Sequence, residues 1–385
     1  MVLCFFTVRG AHSTPAIPLP FLILGLDMIG ILCIRHTGDL HYGIDLLPFA
    51  ASVLLSLLVQ NSYGSSYFHA DDALSATVLL LAMLICVILL TQRGYTHIIW
   101  KTVSTLNILA ATCILLQNAT VPLGVRLDKM GSFAGWLFNA WEFSDTIRLC
   151  GPFLEPAMYA QVGLLGLYDA LFLRPSLFRA TLTTTALVLS TSALALVGIV
   201  LLYGMYLFSL DRVSNASRRF KITLIALVVG LVAVSANFLL TSDIYIVQRA
   251  LSGSSVGVRF LRSMDLYWLL NPLEKLFGIG LQNQQYYLFH HNITLAHDTY
   301  ETLYENKEYA SVLGYIPCTL GFWGLSTFLF PFLRCFFRGD LRTKTIVALL
   351  IYVCLFCNLM SNCIFVIYIM AVYSAYDLEQ KLNAV

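Results

Sequence analysis

Long apolar stretches alternate with short polar ones along almost the whole chain. A helix that crosses a bilayer needs about 20 mostly apolar residues. By this rule we predict single spans at residues 17–34, 44–60, 73–91, 98–116, 153–173, 222–240, 315–333, 345–359 and 362–376. Residues 177–210 are too long for one crossing, so two short, tilted helices joined near Ser190–Ser192 are predicted there. The pattern predicts an all-α polytopic integral membrane protein with about 11 transmembrane helices, in a range of roughly 10–12.

The composition excludes a soluble protein. The 385 residues are 58% hydrophobic and 11% charged, with a mean hydropathy of +0.78, whereas soluble domains are about 45–50% apolar and about 25% charged. The net charge of +2 is too small to indicate a nucleic-acid partner. Most of the ten cysteines lie in apolar runs and are expected to behave as small hydrophobes. A disulfide between Cys150 and Cys318 stays open, because both are predicted on the outer side.

The polar interruptions divide the chain into five segments. These are the N-terminal transmembrane helices (1–116), an extracytoplasmic segment (117–152), the central transmembrane helices (153–240), a large extracytoplasmic loop (241–314) and the C-terminal transmembrane helices (315–385). The segment at 117–152 mixes charged side chains with tryptophan and phenylalanine, which predicts an interfacial, amphipathic part.

Lysine and arginine indicate the orientation, because they are enriched in short cytoplasmic loops. Four short basic loops contain Arg93, Arg174, Arg212 and Arg334. Counting spans places all four on one side, which we predict to be the cytoplasm. Residues 61–72, 118–151 and 241–314 then lie together on the outer side, and this count puts the N-terminus outside as well.

The first candidate site is the stretch from Arg148 to Tyr159. Pro152 and Pro156 suit the first turn of a helix, and Glu155 would lie where the positive end of the helix dipole favours a carboxylate. Two interpretations remain open: a helix start with a favourable acid, or the mouth of an outer cavity lined by Arg148 and Glu155. Tyr159 is counted among the substrate-binding candidates.

The second candidate site is a group of three arginines in the large loop: Arg249, Arg259 and Arg262. If residues 255–270 are helical, Arg259 and Arg262 share a face, because they are three residues apart. The planar guanidinium suits phosphate oxygens and stays charged, so the group fits an anionic, lipid-linked substrate. Contact with lipid headgroups, or ion pairs with acidic loop residues such as Asp265 and Glu274, would explain the arginines equally well.

His297 is a candidate base, because histidine titrates near neutral pH, although a hydrated loop histidine with no catalytic role is the alternative. The histidine spacing is not that of a metal site, and we predict neither a metal nor another cofactor. No nucleotide-binding or zinc-protease motif is present, which argues against an ATP-driven pump. Gly278 and Gly280 permit a tight turn of the backbone in the same loop.

Four stretches, taken in order, resemble the bacterial O-antigen and capsular polysaccharide repeat-unit polymerase family, which is related to the O-antigen ligases. They are Arg148-Leu-Cys-Gly-Pro-Phe-Leu-Glu-Pro, the small-residue helix at 187–198 with Thr191-Ser192, Arg259 followed by Asn271-Pro272 and Leu276-Phe-Gly-Ile-Gly-Leu281, and Leu320-Gly-Phe-Trp-Gly324. The resemblance covers residues 148–333, and the N-terminal third matches only in hydropathy.

The resemblance implies a glycosyltransferase-C-like helical bundle in the bacterial inner membrane, with its active site facing the periplasm or exterior. It implies transfer of a glycan from undecaprenyl diphosphate to the non-reducing-end sugar of another lipid-linked unit, without a metal. Arg148 and Arg259, with Arg249 or Arg262, would hold the diphosphate, and Glu155 or His297 would accept the hydroxyl proton. These roles are expected from the resemblance. A chain-length regulator and a flippase are the expected partners.

Two other functions stay open. An O-antigen ligase-type transferase is one, although the ligases carry a loop histidine shortly before the re-entry helix, whereas His297 lies far upstream of Gly321. A lipid-sugar flippase or secondary transporter is the other. Transporters usually show internal repeats and ionisable residues at membrane depth, and here only Asp27 and Asp169 come close to the second criterion.

Overall fold

The computed structural model describes residues 42–63, 67–92, 96–129, 137–143, 146–153, 155–209, 257–296, 310–360 and 364–383. This part of the chain is mostly helical, and the chain divides into two compact units. The split unit consists of Met1–His97 and Gly253–Val385, and the central unit is Ile98–Ser252. Several predictions lie outside the described residues: the spans at 17–34 and 222–240, and those on Asp27, Arg93, Arg212, Arg249 and His297.

Three helices among the described residues are long and apolar enough to cross a membrane: Ile44–Ser62, Ala70–Thr91 and Ile99–Leu123. They correspond to α1 (Leu47–Tyr63, preceded by a 3-10 turn at Tyr42–Leu46), α2 (Ala70–Gln92) and α3 (Thr96–Thr120, followed by a 3-10 turn at Val121–Leu123). Each coincides with a predicted span. They support the prediction of a helical membrane protein.

The central unit is organised around a buried helix that follows Glu155. Its helices are α4 (Pro156–Tyr168, continued by a π-helical turn at Asp169–Leu173), α5 (Leu177–Leu189) and α6 (Ala193–Phe208). Pro156 occupies the first turn of α4, as predicted. The break between α5 and α6 lies at residues 190–192, where Thr191 has a left-handed φ of 52°. The predicted helix break is therefore confirmed.

Small residues bring the neighbouring helices close to α4. A Cβ added to Gly166 would lie 2.2 Å from Nδ2 of Asn107 on α3, and one added to Gly163 would lie 2.7 Å from Cδ2 of Leu187 on α5. Glycine and other small residues commonly allow membrane helices to pack this closely. The contacts explain why α4 is buried almost throughout its length.

A β-hairpin precedes α4 and was not predicted. β1 (Asn139–Phe143) pairs antiparallel with β2 (Thr146–Gly151), so that Trp141 lies opposite Arg148. The segment predicted at 117–152 also contains a 3-10 turn at Leu127–Lys129. An interfacial, amphipathic part was expected there, whereas the described portion is two short turns and a hairpin.

The split unit combines α1 and α2 with the C-terminal helices. These are a π-helical turn at Gly257–Leu261 followed by α7 (Arg262–Leu269), then α8 (Pro272–Phe277), α9 (Gln284–His290), α10 (Val312–Thr319), α11 (Gly321–Arg338), α12 (Leu341–Phe356) and α13 (Ile364–Asn383). The single span predicted at 315–333 is wrong, because the helix ends at Thr319 and restarts at Gly321, which has a left-handed φ of 70°.

Polar contacts define two ends of the split unit. At one end, Arg334 Nη1 lies 2.6 Å from Asp45 Oδ2. At the other end, Ser56 donates to the carbonyl of Thr319 (3.0 Å), and the His69 amide donates to Asn283 Oδ1 (2.8 Å). The loop between α1 and α2 therefore meets the described part of the large loop, which agrees with the prediction that residues 61–72 and 241–314 lie on the same side.

Candidate functional site

Arg259 lies on the π-helical turn that leads into α7. Its Nη1 donates to the carbonyl of Phe356 (3.1 Å), the last residue of α12, and its own carbonyl accepts from the Ser311 amide (2.8 Å). Within the described part of the chain, its half-buried side chain makes no other hydrogen bond or ion pair. Arginine has five N–H donors, so Arg259 is anchored at one nitrogen and keeps donors for an anion. The condition that residues 255–270 are helical is met over residues 257–269.

Arg262 has a different environment from Arg259. It is 1% exposed and is among the largest fully buried side chains of the described residues. A ligand at the surface of the unit cannot reach its guanidinium while the fold keeps this conformation. The two arginines predicted to act together are therefore a half-buried residue and a fully buried one.

Two glycine-containing stretches of the split unit cross in backbone contact. The amides of Ile279 and Gly280 donate to the carbonyls of Cys318 and Thr319, each at 2.9 Å. Gly278 has a φ of 80°, and a Cβ added there would lie 2.1 Å from the carbonyl carbon of Thr319. The tight turn predicted at Gly278 and Gly280 is confirmed.

The contact is reciprocal, because a Cβ added to Gly321 would lie 2.2 Å from the carbonyl oxygen of Leu276. α1 closes the crossing from the side. Gln60 Nε2 donates to the carbonyl of Gly278, and Ser56 Oγ donates to that of Thr319. One carbonyl at the helix break and one in the glycine turn thus accept from polar residues of a helix apolar enough to span a membrane.

Glu274 is the centre of a buried hydrogen-bond network that was not predicted. With Asn271 it forms a capping box at the start of α8. Its two carboxylate oxygens also accept from the hydroxyls of Tyr67 (3.0 Å) and Tyr287 (3.2 Å). The ion pair that we considered between a loop arginine and Glu274 is not formed, since Glu274 has no arginine partner among the described residues.

The spacing Asn271-Pro-Leu-Glu274 is a helix-start signal that could have indicated the capping box. No signal in the sequence indicates the two tyrosines, because Tyr67 lies in a different loop. Burial, followed by the charge of Glu274 and the hydrogen bond to it, raises the pKa of Tyr287 above its usual value. Tyr287 therefore stays protonated at neutral pH and acts as a donor.

The described histidines lie on an exposed aromatic surface beside this network. The ring of His291 is 4.4 Å from that of Tyr287, and the ring of His69 stacks on Tyr286 at 3.5 Å. His290 and His291 are exposed. Among the described residues, no group of three or more metal-binding side chains is present.

In the central unit, Arg148 holds the turn between α5 and α6. Its Nε donates to Thr191 Oγ1 (3.2 Å), and its Nη2 donates to the Thr191 carbonyl (2.9 Å). Glu155 is the N-cap residue of α4 and is half-buried, but its side chain makes no capping hydrogen bond. Glu155 forms no ion pair with any described residue. In the described part of the chain, no ion pair joins Arg148 to Glu155, and Arg148 binds Thr191.

Tyr159 lies one turn into α4 and is completely buried. Its ring is 5.9 Å from that of Phe153, and its hydroxyl has no hydrogen-bond partner among the described residues. A buried hydroxyl without a partner is uncommon. Tyr159 is closed off from the surface in this conformation.

A charged cluster lies at the opposite end of α4 and its π-helical extension. Asp169 is fully buried and accepts from Arg174 through both carboxylate oxygens (2.9 and 2.7 Å) and from Arg179 (2.8 Å). Arg174 also donates to the carbonyl of Trp100 on α3 (2.7 Å). Asp169, which the sequence indicated as an ionisable residue at membrane depth, is therefore neutralised by Arg174 and Arg179. Both arginines belong to a loop region predicted to be cytoplasmic.

Cys150 and Cys318 are both free and buried, so the disulfide left open above is not formed. Cys318 Sγ instead donates to the carbonyl of Ser263 (2.8 Å). Cys150 belongs to the central unit and Cys318 to the split unit, and both are free thiols.

No protein-family model matches the chain, and no curated protein matches it. Function must therefore be argued from the residues and their geometry.

Proposed function

We propose that the protein is a polymerase of lipid-linked oligosaccharide repeat units. It would transfer a glycan from undecaprenyl diphosphate to the non-reducing-end sugar of another lipid-linked unit on the outer face of a bacterial inner membrane. With this function we propose about 11 spans and an extracytoplasmic position for residues 241–314. A flippase and a chain-length regulator would be its partners.

One observation carries the proposal: stretches of the family pattern that are far apart in sequence meet in pairs. In the central unit, Arg148 of the first stretch binds Thr191 of the second. In the split unit, Ile279 and Gly280 of the third stretch bind the backbone immediately before Gly321 of the fourth. The proposal is supported because each pair brings two of the resembling stretches into direct contact.

Arg259 is the residue that we propose for the diphosphate. The glycosidic bond breaks between the sugar carbon and the phosphate oxygen, and the electron pair stays on the phosphate. A fixed guanidinium beside that oxygen stabilises the developing charge. Because Phe356 holds one nitrogen of Arg259 in place, its other donors are oriented before the substrate arrives. A cation that neutralises the leaving group in this way makes a metal unnecessary to the proposal.

The other residues have secondary parts. Glu155, half-buried and not used as a cap, is the proposed acceptor of the hydroxyl proton, and His297 is the alternative. Arg148 is proposed as a positioning residue through its bonds to Thr191. Arg262 is buried, so we propose that it supports α7 rather than binding substrate.

The test uses purified protein in detergent with a lipid-diphosphate-linked repeat unit, without ATP and with EDTA. We expect a ladder of lengthened glycans. Arg259→Ala should abolish the ladder, whereas Arg334→Ala should leave it intact, because Arg334 is an exposed arginine at the other end of the split unit. Equal thermal stability of the two variants would show that the loss is not due to unfolding.

Other outcomes identify the alternatives. Transfer of the glycan to a lipid A–core acceptor without lengthening would indicate a ligase. Movement of the lipid-linked unit across liposomes without ATP, and without lengthening, would indicate a flippase. A full ladder from Arg259→Ala would remove the diphosphate assignment while leaving the polymerase proposal in place.

A further inference from the structure

Large apolar side chains are exposed on the part of the split unit that is predicted to be an outer loop. In a loop surrounded by water, such side chains would be expected to be buried. Trp268 is 70% exposed at the end of α7, and Leu269 beside it is 56% exposed. Leu276 on α8 is exposed as well. Monomeric soluble surfaces rarely present apolar side chains of this size together, and such patches usually mark a binding surface.

The exposed surface continues onto α11. The carbonyl of Leu276 lies against Gly321, and the next two residues, Phe322 and Trp323, are 58% and 50% exposed. We name the group the interfacial patch. It consists of Trp268, Leu269, Leu276, Phe322 and Trp323.

α11 gives this patch a position relative to a bilayer. Its exposed apolar residues continue beyond Trp323 with Phe330, Leu333 and Phe337, at spacings of seven, three and four residues, which form one stripe along a helix. The helix ends at Arg338. From Trp323 to Arg338 the axial distance is about 22 Å at 1.5 Å per residue. The hydrocarbon core is about 30 Å thick, so with Arg338 at one surface Trp323 lies about 8 Å inside the other, within the depth of about 5–10 Å to which interfacial segments insert.

A charge lies next to the patch, as is usual at the membrane surface. Lys275 Nζ is 5.9 Å from the centre of the Trp268 ring, and the hydroxyl of Tyr267 donates to the carbonyl of Lys275 (3.4 Å). Tryptophan and tyrosine prefer the headgroup level, and lysine extends its ammonium towards the headgroups while its stem remains in apolar surroundings.

We propose that the interfacial patch inserts into the headgroup region of the outer leaflet and anchors the α7–α8 segment of the loop to the bilayer. The occupant of the patch is lipid, because the patch continues the apolar stripe of α11, which covers about 22 Å of the hydrocarbon core, and because Lys275 lies beside Trp268. If the patch faced water or a second copy of the chain, its continuity with the apolar stripe of α11 would have no physical explanation. The proposal does not depend on the enzymatic reaction.

The test measures the depth of Trp268 by fluorescence quenching. The full chain is placed in nanodiscs of phosphatidylcholine brominated either near the headgroup or near the chain end, and iodide is the aqueous quencher. The emission lost in Trp268→Phe, relative to the natural chain, belongs to Trp268. Trp100→Phe is the matched control, because Trp100 is a buried tryptophan of the central unit.

We expect Trp268 emission to be quenched about twofold more by the shallow bromine than by the deep one, because an interfacial helix inserts about 5–10 Å, and to be little affected by iodide. Trp100 emission should respond to neither quencher. Leu276→Trp in the Trp268→Phe background should restore the shallow quenching, which keeps the test valid if Trp268 is perturbed by its own substitution. Strong quenching by iodide would overturn the proposal in favour of water, and quenching by neither reagent would overturn it in favour of a protein partner.

Discussion

Substitution of Gly278 by alanine tests the crossing between the glycine turn and the helix break at Leu320. Gly278 has a φ of 80° and a ψ of 175°, a conformation that residues with a Cβ rarely adopt. The added methyl group would lie 2.1 Å from the carbonyl carbon and 2.2 Å from the carbonyl oxygen of Thr319. These are backbone atoms, which cannot rotate away, so the two segments must separate.

The expected cost follows from two effects. Backbone strain at such a position costs on the order of 1–3 kcal/mol. Separation of the segments also weakens the two hydrogen bonds from Ile279 and Gly280 to the carbonyls of Cys318 and Thr319, at about 1 kcal/mol each. We therefore expect Gly278→Ala to lose about 3–5 kcal/mol of stability.

Gly124→Ala is the matched control. Gly124 also has a left-handed φ, 74°, but nothing lies within 4 Å of its hypothetical Cβ. It should lose only the conformational part, on the order of 1–2 kcal/mol. Thermal unfolding in detergent, followed by loss of the monodisperse chromatography peak, compares the two variants with the natural chain.

The result that refutes this reasoning is a fall in the unfolding midpoint for Gly278→Ala that is no larger than that for Gly124→Ala. It would mean that the segments do not approach as described. Gly321→Ala provides an independent repeat, because its Cβ would lie 2.2 Å from the carbonyl oxygen of Leu276 on the other side of the same crossing.

Three further predictions concern single side chains. Arg148→Ala should raise hydrogen exchange in the α5–α6 turn by about tenfold or more, because a lost charged hydrogen bond is worth about 1.5–3 kcal/mol; unchanged exchange there would contradict the contact with Thr191. Asp169→Asn should lower the unfolding midpoint far more than Asp45→Asn, because a broken buried ion pair costs about 3–5 kcal/mol and an exposed one at most about 1 kcal/mol; equal midpoints would show that Asp169 is not buried. The raised pKa of Tyr287 contributes stability that is complete below about pH 10 and is lost as the pH rises further. Above that pH, the unfolding midpoint of Tyr287→Phe should therefore fall less than that of the natural chain. Parallel pH curves for the two proteins would contradict this prediction.

The positions of the helices could be predicted from the lengths of the apolar runs. A segment that crosses a bilayer must be helical to satisfy its backbone hydrogen bonds, and it needs a long apolar run to cover the hydrocarbon core. The stretch predicted at 73–91 is α2, Ala70–Gln92. The break before Gly321 could not be predicted in the same way. It depends on the close approach of Leu276 and on the carbonyls that Ser56 and Gln60 satisfy, and those contacts join residues far apart in the sequence.

The candidate arginines could be identified from the sequence because charge is scarce in the chain, but the environment of each arginine could not be predicted. Hydropathy cannot distinguish Arg259, which is held by the end of α12, from Arg262, which is fully buried. The hairpin that presents Arg148 was missed because its strands have only five and six residues, too few for their alternation to stand out beside aromatic side chains. Tertiary contacts decide such features, and local sequence does not contain them.

The discontinuity of the split unit imposes an order on biogenesis. The central unit is a continuous stretch, Ile98–Ser252, so all of its contacts can form before the ribosome reaches the later helices. α1 and α2 are made before the central unit, yet their partners α11 and α13 are made after it. During that interval the side chains of Ser56 and Gln60 lack the carbonyls that they later bind, and an uncompensated polar group in lipid is costly. Until α10 and the glycine turn are made, α1 therefore lacks these two polar contacts, a state in which an insertase or chaperone would have most to protect.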